Sequence, residues 1–206
     1  MARHKIAILV GSLREGSINR KIGRSICAMA GEMIDCEIVE IGNLPLYNQD
    51  SDSNPPPEFV AFREKIAAKD GVLFVSPEYN RGMPGVLKNA IDVGSRPYGQ
   101  SVFDKKPAAI VSASPGGIGG FGANHQIRQS CVFLNMPVMQ QPEAYLGHVT
   151  DDSFDADGCL KDGPLKDLVM VLATSFASWV DMIHNSRRLL AEDSAHAAQQ
   201  KAKEPA

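Results

Sequence analysis

Apolar residues along the chain fall into two alternating rhythms. Short continuous runs give way to stretches in which apolar residues recur every three or four positions, the patterns of buried strands and amphipathic helices. Ile6-Ala7-Ile8-Leu9-Val10 is the first run, and Ile22, Ile26, Ala30, Met33 and Ile34 then predict a helix from Ile18 to Ile34. Cys36 to Ile41 alternates as a second strand, polar enough for a sheet edge. Breakers between Gly42 and Pro57 predict a long surface connection, after which Phe59, Phe62 and Ile66 mark a helix ending near Asp70-Gly71. Val72 to Val75 reads as a third strand, Gly85 to Asp92 as a helix opened by Pro84, and Pro107 to Ser114 as a fourth strand. Asn124, Ile127, Arg128, Cys131 and Leu134 mark a fourth helix, and a weak fifth strand starts at Val138-Met139 and continues past Pro142 to Tyr145 and Leu146. Pro164, Leu165, Leu168, Val169, Leu172, Phe176, Val180 and Ile183 predict one long helix to about Arg188. Residues 191–206 lack apolar anchors and are expected to be a frayed or disordered tail behind a domain spanning 1–190.

Strands alternating with helices imply a parallel sheet covered on both faces. The expectation is an α/β fold of flavodoxin type: three layers, doubly wound, five strands in the order 2-1-3-4-5. Strands 1, 3 and 4 are then neighbours, and the loops leaving their C-terminal ends meet where the winding reverses, the usual ligand position in such sheets. A length of 206 residues with 44% hydrophobic content suits one domain. The formal net charge of −3, with no run of Lys or Arg, argues against nucleic acid as a partner. No apolar stretch approaches the length of a membrane span, and Met1 to Lys5 lead into the first strand without the pattern of a signal peptide, so a soluble, cytoplasmic protein is expected. Cys27, Cys36, Cys131 and Cys159 form no metal-binding spacing, and Cys27 and Cys131 fall on apolar helix faces as core residues.

Each of the three converging loops has its own chemistry. The first, Gly11 to Asn19, offers backbone amides, a helix N-terminus, the neutral donors Ser12, Ser17 and Asn19, and the guanidinium of Arg14, which suits a phosphate. Gly11 and Gly16 have P-loop spacing, but Ser17 and Ile18 stand where that motif needs Lys and Ser/Thr. No G-x-G-x-x-G occurs in this turn, so a terminal phosphate is favoured over a pyrophosphate. The second loop, Ser76 to Gly85, has Pro77 and Pro84 to stiffen it and Tyr79 and Asn80 to wall a planar heterocycle. The third contains Gly117, Gly119 and Gly122 in G-x-G-x-x-G spacing, with Glu143 downstream as a ribose-binding acid would be. That motif belongs after a first strand rather than a fourth, so these glycines are read as letting the backbone lie against a flat ring. His125, His148 and His184 show no metal-ligand spacing and read as surface or capping residues, and no metal site is expected.

Gly11-Ser12-Leu13-Arg14-x-Gly16-Ser17-x-Asn19, Ser76-Pro77-Glu78-Tyr79-Asn80 with Pro84-Gly85-x-Leu87-Lys88-Asn89-Ala90-Ile91-Asp92, and Arg128-Gln129 resemble the NAD(P)H-dependent FMN reductase family, which includes chromate and quinone reductases. The resemblance implies an FMN phosphate held by Ser12, Arg14, Ser17, Ile18 and Asn19, with the ring against Pro77, Glu78, Tyr79, Asn80 and Arg81 and near Ser114 and Gly116. It implies two-electron, ping-pong hydride transfer from NADPH or NADH through FMN to a quinone, flavin or similar acceptor, with no catalytic side chain and with a homodimer or homotetramer as the assembly. Amides around Gly116 to Gly119 would stabilise negative charge on the reduced ring. The chain departs from relatives at Gly122, Asn124, Val93 and Arg81, and Arg81 is a candidate ion-pair partner for Glu143. The alternative is a flavodoxin-like FMN electron carrier without nicotinamide activity. An aromatic content of 6%, with the lone Trp179 on the last helix, provides little to sandwich a ring as such carriers do.

Overall fold

The structure, a computed structural model, describes residues 3–201. Its elements in chain order are β1 (His4–Val10), α1 (Ile18–Ala30), β2 (Ile34–Ile38), α2 (Pro57–Ala67), β3 (Gly71–Ser76), α3 (Gly85–Ser95), β4 (Ala108–Ala113), α4 (Phe121–Phe133), β5 (Ala144–Leu146) and α5 (Pro164–Lys201). The strands form one sheet in the order β2-β1-β3-β4-β5, every pairing parallel, as the flavodoxin-type reading requires. Ile8 lies opposite Ile38 and Leu73, and Leu73 opposite Ala109, which places the ends of β1, β3 and β4 side by side.

Each central strand is apolar throughout because it feeds two cores. Ile6, Ile8, Val10, Leu73, Val75, Ala109 and Val111 face Ile22 and Ile26 of α1 and Val169, Leu172, Phe176 and Val180 of α5. The residues between them, Ala7, Leu9, Val72, Phe74, Ala108 and Ile110, face Phe59 and Phe62 of α2, Leu87 and Ile91 of α3, and Ile127 and Cys131 of α4. Period-2 alternation therefore operates in the packing although it is invisible in the sequence, since both faces are buried. Burial pushes the Cys131 thiol up to about 12, which suits the core role read for it and makes it a poor nucleophile.

Three boundaries differ from expectation. α1 stops at Ala30, with Gly31 as its cap, and Ile34 opens β2 by pairing with His4, so β2 begins and ends earlier than Cys36 to Ile41. Ile34 is buried by strand pairing, which at that spacing mimicked one more helical turn. Val138 makes only an isolated bridge to Ala108, and β5 proper starts after Pro142, which has no N–H to give to a ladder. Finally, α5 continues to Lys201, where a frayed or disordered tail was expected from Ala191. Nothing in Ala191 to Lys201 breaks a helix, and its Ala, Gln, Glu and Lys are strong helix formers, while Leu189 and Leu190 are already exposed. Residues 202–206 of that expected tail lie outside the described residues.

Two ion pairs fasten β2 and the stretch just after it. Arg20 on α1 grips Glu40 with both guanidinium nitrogens, at 2.7 and 2.6 Å, and Lys69 meets Glu37 at 2.5 Å. The hydrogen bond from Arg20 holds the Glu40 carboxyl below its ordinary value of 4.5, and Lys69 does the same for Glu37. A carboxyl whose folded pKa is depressed contributes stability above its unfolded pKa and loses it as pH falls through the folded value. Both groups are largely exposed, so each contributes less than about 1 kcal/mol. The Glu37→Gln/Glu40→Gln protein is therefore expected to lose less urea resistance between pH 6 and 3 than the wild type. Parallel acid limbs in the two unfolding series would assign the loss to other carboxylates.

Candidate functional site

The sheet brings the three loops together, and specific bonds fix them there. Gly11 ends β1 by donating its amide to the Val75 carbonyl at 2.9 Å. A Cβ at Gly11 would come within 2.8 Å of Ser76 Oγ and 3.4 Å of Pro77 Cδ, so glycine here lets the first loop lie against the second. Asn19 on α1 reaches the end of β4, where its Nδ2 donates to the Ala113 carbonyl at 3.2 Å.

The first loop arches outward: Ser12, Ser17 and Asn19 are buried, whereas Leu13, Arg14, Glu15 and Gly16 are exposed. Ser17 is the N-cap of α1, and its Oγ accepts from the Arg20 amide at 3.2 Å, leaving the hydroxyl proton free to donate. Glu15 and Gly16 form a loose turn, and among the described residues no amide from Ser12 through Asn19 makes a hydrogen bond of ordinary geometry to the chain. A helix end by itself leaves about four such orphans. The longer unbroken row, with the helix dipole behind it, is a place for an anion with several acceptor oxygens. The positive side chains beside it are Arg14 and Lys21, which together pull the exposed Asp151 carboxyl below its ordinary range, Lys21 through a 2.7 Å bond. Asn19 differs from its expected role, because its amide nitrogen is tied to Ala113. Its Oδ1, buried and without a partner, is an acceptor awaiting a hydroxyl or N–H. A phosphate joined to a polyol chain, as in FMN, fits both halves of this donor and acceptor set.

The second loop closes on itself as a tight turn. Tyr79 and Gly82 exchange two backbone bonds of 3.0 and 2.9 Å across Asn80 and Arg81, whose φ angles are 51° and 64°. Asparagine adopts that left-handed conformation readily, while arginine pays about 1 kcal/mol for it. Glu78 is the pin: Oε2 accepts from the Ala123 amide at 3.0 Å and Oε1 from Arg81 at 3.1 Å. Its carboxylate thus caps the start of α4 and does not face a ligand freely. Arg81 accordingly pairs within its own loop, while Glu143 sits against Tyr145, whose phenol it raises after burial has done most of that work. The Arg81 to Glu143 pairing does not form within the chain. Gly122 is explained by the same contact, since a Cβ there would fall 2.6 Å from the Arg81 carbonyl and 2.8 Å from Glu78 Oε2.

The third loop corrects the reading of its glycines. Gly119 and Gly120 have φ of 65° and 75°, and a Cβ on Gly119 would stand 2.5 Å from the Tyr145 carbonyl. Close packing on β5, rather than contact with a ring, requires glycine at Gly119. Gly116 is exposed, with Ser114 Oγ at 3.6 Å as the one neighbour of a Cβ there and its amide held by the same Oγ at 3.1 Å, and the amides of Gly117 and Ile118 donate to no acceptor among the described residues. Pro77 is half-buried, and Tyr79, Leu13, Ile118 and Phe121 are exposed apolar or aromatic side chains on the three loops and the start of α4.

Two polar residues of α4 complete the support and escaped the sequence reading. Gln126 Oε1 accepts from the Met83 amide at 2.6 Å and anchors the far end of the second loop. Asn124, fully buried, lies within 3.4 Å of the Ile110 and Ala144 carbonyls and accepts from Arg128 Nε at 3.0 Å. The available signal was two amides near the inward positions of a helix otherwise marked by Ala123, Ile127 and Cys131.

The model of the NADPH-dependent FMN reductase family matches residues 4–151, from the first residue of β1 past the end of β5, and includes all three loops. The chain belongs to this family. It is similar to the quinone reductase of Pseudomonas putida, at 54% identity over 87% of this chain and 96% of the relative. The 2-hydroxy-1,4-benzoquinone reductase of a Burkholderia species is 43% identical over 85% of this chain and 96% of its own. Among solved structures, FerB, a flavoenzyme NAD(P)H:acceptor oxidoreductase from Paracoccus denitrificans, superposes with a TM-score of 0.83 at 34% identity. That match covers 87% of this chain and 98% of FerB. The family is one of oxidoreductases, and the matched span takes in all five strands and the helices α1 to α4.

Proposed function

We propose that the protein is an FMN-dependent reductase that takes two electrons from NADPH or NADH and delivers them to a quinone. The observation that carries this reading is the row of unpartnered amides from Ser12 to Asn19 at the topological switch point of the sheet. The similarity to two quinone reductases supports the choice of acceptor. FMN, when bound, supplies the chemistry: it accepts a hydride from the nicotinamide and passes both electrons to the acceptor.

The chain positions and excludes. The amides of the first loop, with the Ser12 and Ser17 hydroxyls and Arg14, neutralise and orient the phosphate, and Asn19 Oδ1 offers a buried acceptor to the hydroxylated chain next to it. Pro77 to Arg81 form the shelf for the ring, held stiff by the Tyr79 to Gly82 turn and by Glu78 on α4. The Gly117 and Ile118 amides, beside Ser114 and Gly116, are placed to receive negative charge as it develops on the ring edge. No side chain has to act as nucleophile or base, and Glu78, the carboxylate nearest the second loop's root, is committed to Ala123 and Arg81. The same reading carries a cytoplasmic location, where the nicotinamide pool is, and a homodimer or homotetramer. Among the described residues no helix is long and apolar enough to cross a membrane.

The test is the visible spectrum of the FMN-loaded protein under anaerobic conditions. NADPH or NADH is expected to bleach the flavin bands within seconds, and benzoquinone to restore them. Tight FMN binding that neither nucleotide bleaches would replace the reductase with an electron carrier.

A further inference from the structure

At the opposite ends of the strands, where β1 and β3 begin, three distant segments bring two imidazoles and two carboxylates together. His4 is the first residue of β1, Asp70 immediately precedes β3, and Asp181 and His184 lie one turn apart on α5. One ligand atom from each of His4, Asp70 and His184 lies within 4.8 Å of the other two. His4 Nε2 is 2.6 Å from Asp181 Oδ1, so that nitrogen is the N–H donor of the ring. In the neutral ring its other nitrogen, Nδ1, carries a lone pair, and it faces Asp70 Oδ2 at 3.8 Å, a gap too wide for a hydrogen bond. Asp70 Oδ2 cannot swing away cheaply, because it accepts from the Lys5 amide at 2.7 Å. His184 is fixed in a similar way, with Nε2 at 2.9 Å from the Asp70 carbonyl, which leaves Nδ1 as its lone-pair nitrogen.

We propose that His4, Asp70 and His184 form a binding site for a divalent transition metal of the zinc, cobalt or nickel type. Two imidazoles and a carboxylate are ligands for such ions, whereas magnesium and calcium prefer oxygen alone. Tetrahedral bonds of about 2.0–2.2 Å put ligand atoms roughly 3.3–3.6 Å apart. His4 Nδ1 and Asp70 Oδ2 already stand at 3.8 Å, and the three ligand atoms draw together from within 4.8 Å on loading. Asp181 takes the part of the carboxylate behind a metal-bound histidine, fixing the tautomer and raising the basicity of the ring. The ammonium of Lys106, held by the Ala67 and Lys69 carbonyls, keeps its charge and also acts on Asp70, so a bound ion competes with it for that carboxylate. The His4 and His184 rings are stacked, with centroids 5.0 Å apart and planes 19° apart. Since each nitrogen coordinates in the plane of its own ring, loading requires the His184 ring to turn about its Cβ–Cγ torsion and give up its bond to the Asp70 carbonyl, while His4 keeps Asp181. The ion would staple the start of β1 and the approach to β3 to the last helix, far from the phosphate loop.

Calorimetric titration of the FMN-loaded protein with zinc chloride, and visible spectra with cobalt chloride, test this. One zinc per chain is expected, with a rise in the thermal midpoint and intense low-coordinate cobalt bands, and magnesium is expected to give neither. His4→Gln and His184→Gln are expected to abolish the site, whereas His125→Ala leaves it intact. Asp181→Asn retains an acceptor for His4 and is expected to weaken zinc binding about 10–100-fold, which serves if the histidine variants fold poorly. Absence of zinc binding by the wild type, or binding indifferent to these three substitutions, would reduce the cluster to a set of hydrogen bonds. Either result leaves the flavin reading untouched, because FMN content and bleaching are recorded separately.

Discussion

The Arg14→Ala/Ser17→Ala protein is expected to bind FMN about 100-fold more weakly than the wild type, with little change in its affinity for riboflavin. Hydrogen bonds to a charged group contribute about 1.5–3 kcal/mol each, and the remaining amides of the loop retain part of the phosphate's stabilisation. A net loss near 2.7 kcal/mol corresponds to the 100-fold change. Riboflavin isolates the cause, since it has the ring and the polyol but no phosphate. Ser17 also caps α1 through the Arg20 amide, so about 1 kcal/mol of stability goes with it. That cost affects both ligands equally and cannot imitate a loss selective for FMN. Fluorescence titration with each ligand gives the comparison, and equal weakening of both would mean that the phosphate sits elsewhere.

A comparable effect on stability is expected from one methyl group at Gly119. Its φ of 65° costs an L-residue about 1–2 kcal/mol, and the added Cβ would meet the Tyr145 carbonyl at 2.5 Å and the Gly147 amide at 2.9 Å. Those are backbone atoms of β5 and its exit, so relief requires the sheet edge to shift. Gly119→Ala should therefore lose about 3 kcal/mol in urea unfolding, as strain and overpacking combine. Gly116→Ala is the control three residues earlier, where the nearest atom to a Cβ is Ser114 Oγ at 3.6 Å. Its stability should be near that of the wild type. Similar stabilities for the two variants would return Gly119 to the ring-contact role first read from its motif.

The sequence carried most of the architecture because the central strands are apolar runs without alternation, which only a sheet covered on both faces explains. It carried the position of the site for the same reason: strand order follows from the crossovers, and the loops after β1, β3 and β4 then have to meet. What it hid were effects of tertiary context. Ile34 has helical spacing from Ile26 and Ala30 but is buried beside β1. Glu78 stood in a ring-binding motif, yet its carboxylate is occupied by a helix start more than forty residues away in sequence. Gly119 and Gly122 spell a nucleotide motif but are small because Tyr145, Arg81 and Glu78 lie against them. His4 and His184 stand at opposite ends of the chain, where no spacing rule can pair them. Asn124 counted only as one of the positions that mark the fourth helix and Gln126 not at all, and the roles of such amides become legible only when their partners are known.

The strand order also dictates when the molecule can be completed. β1 leaves the ribosome first, yet it occupies the interior of the sheet, and β3, the neighbour that covers its inner side, arrives some sixty residues later. Parallel pairing through crossovers makes such contacts slow to nucleate. The core facing α1 stays open longer still, because Phe176, Ala177 and Val180, which close it, belong to the final helix. A chain that has finished every strand and every binding loop thus still lacks the α5 side chains that cover this face of the sheet together with α1.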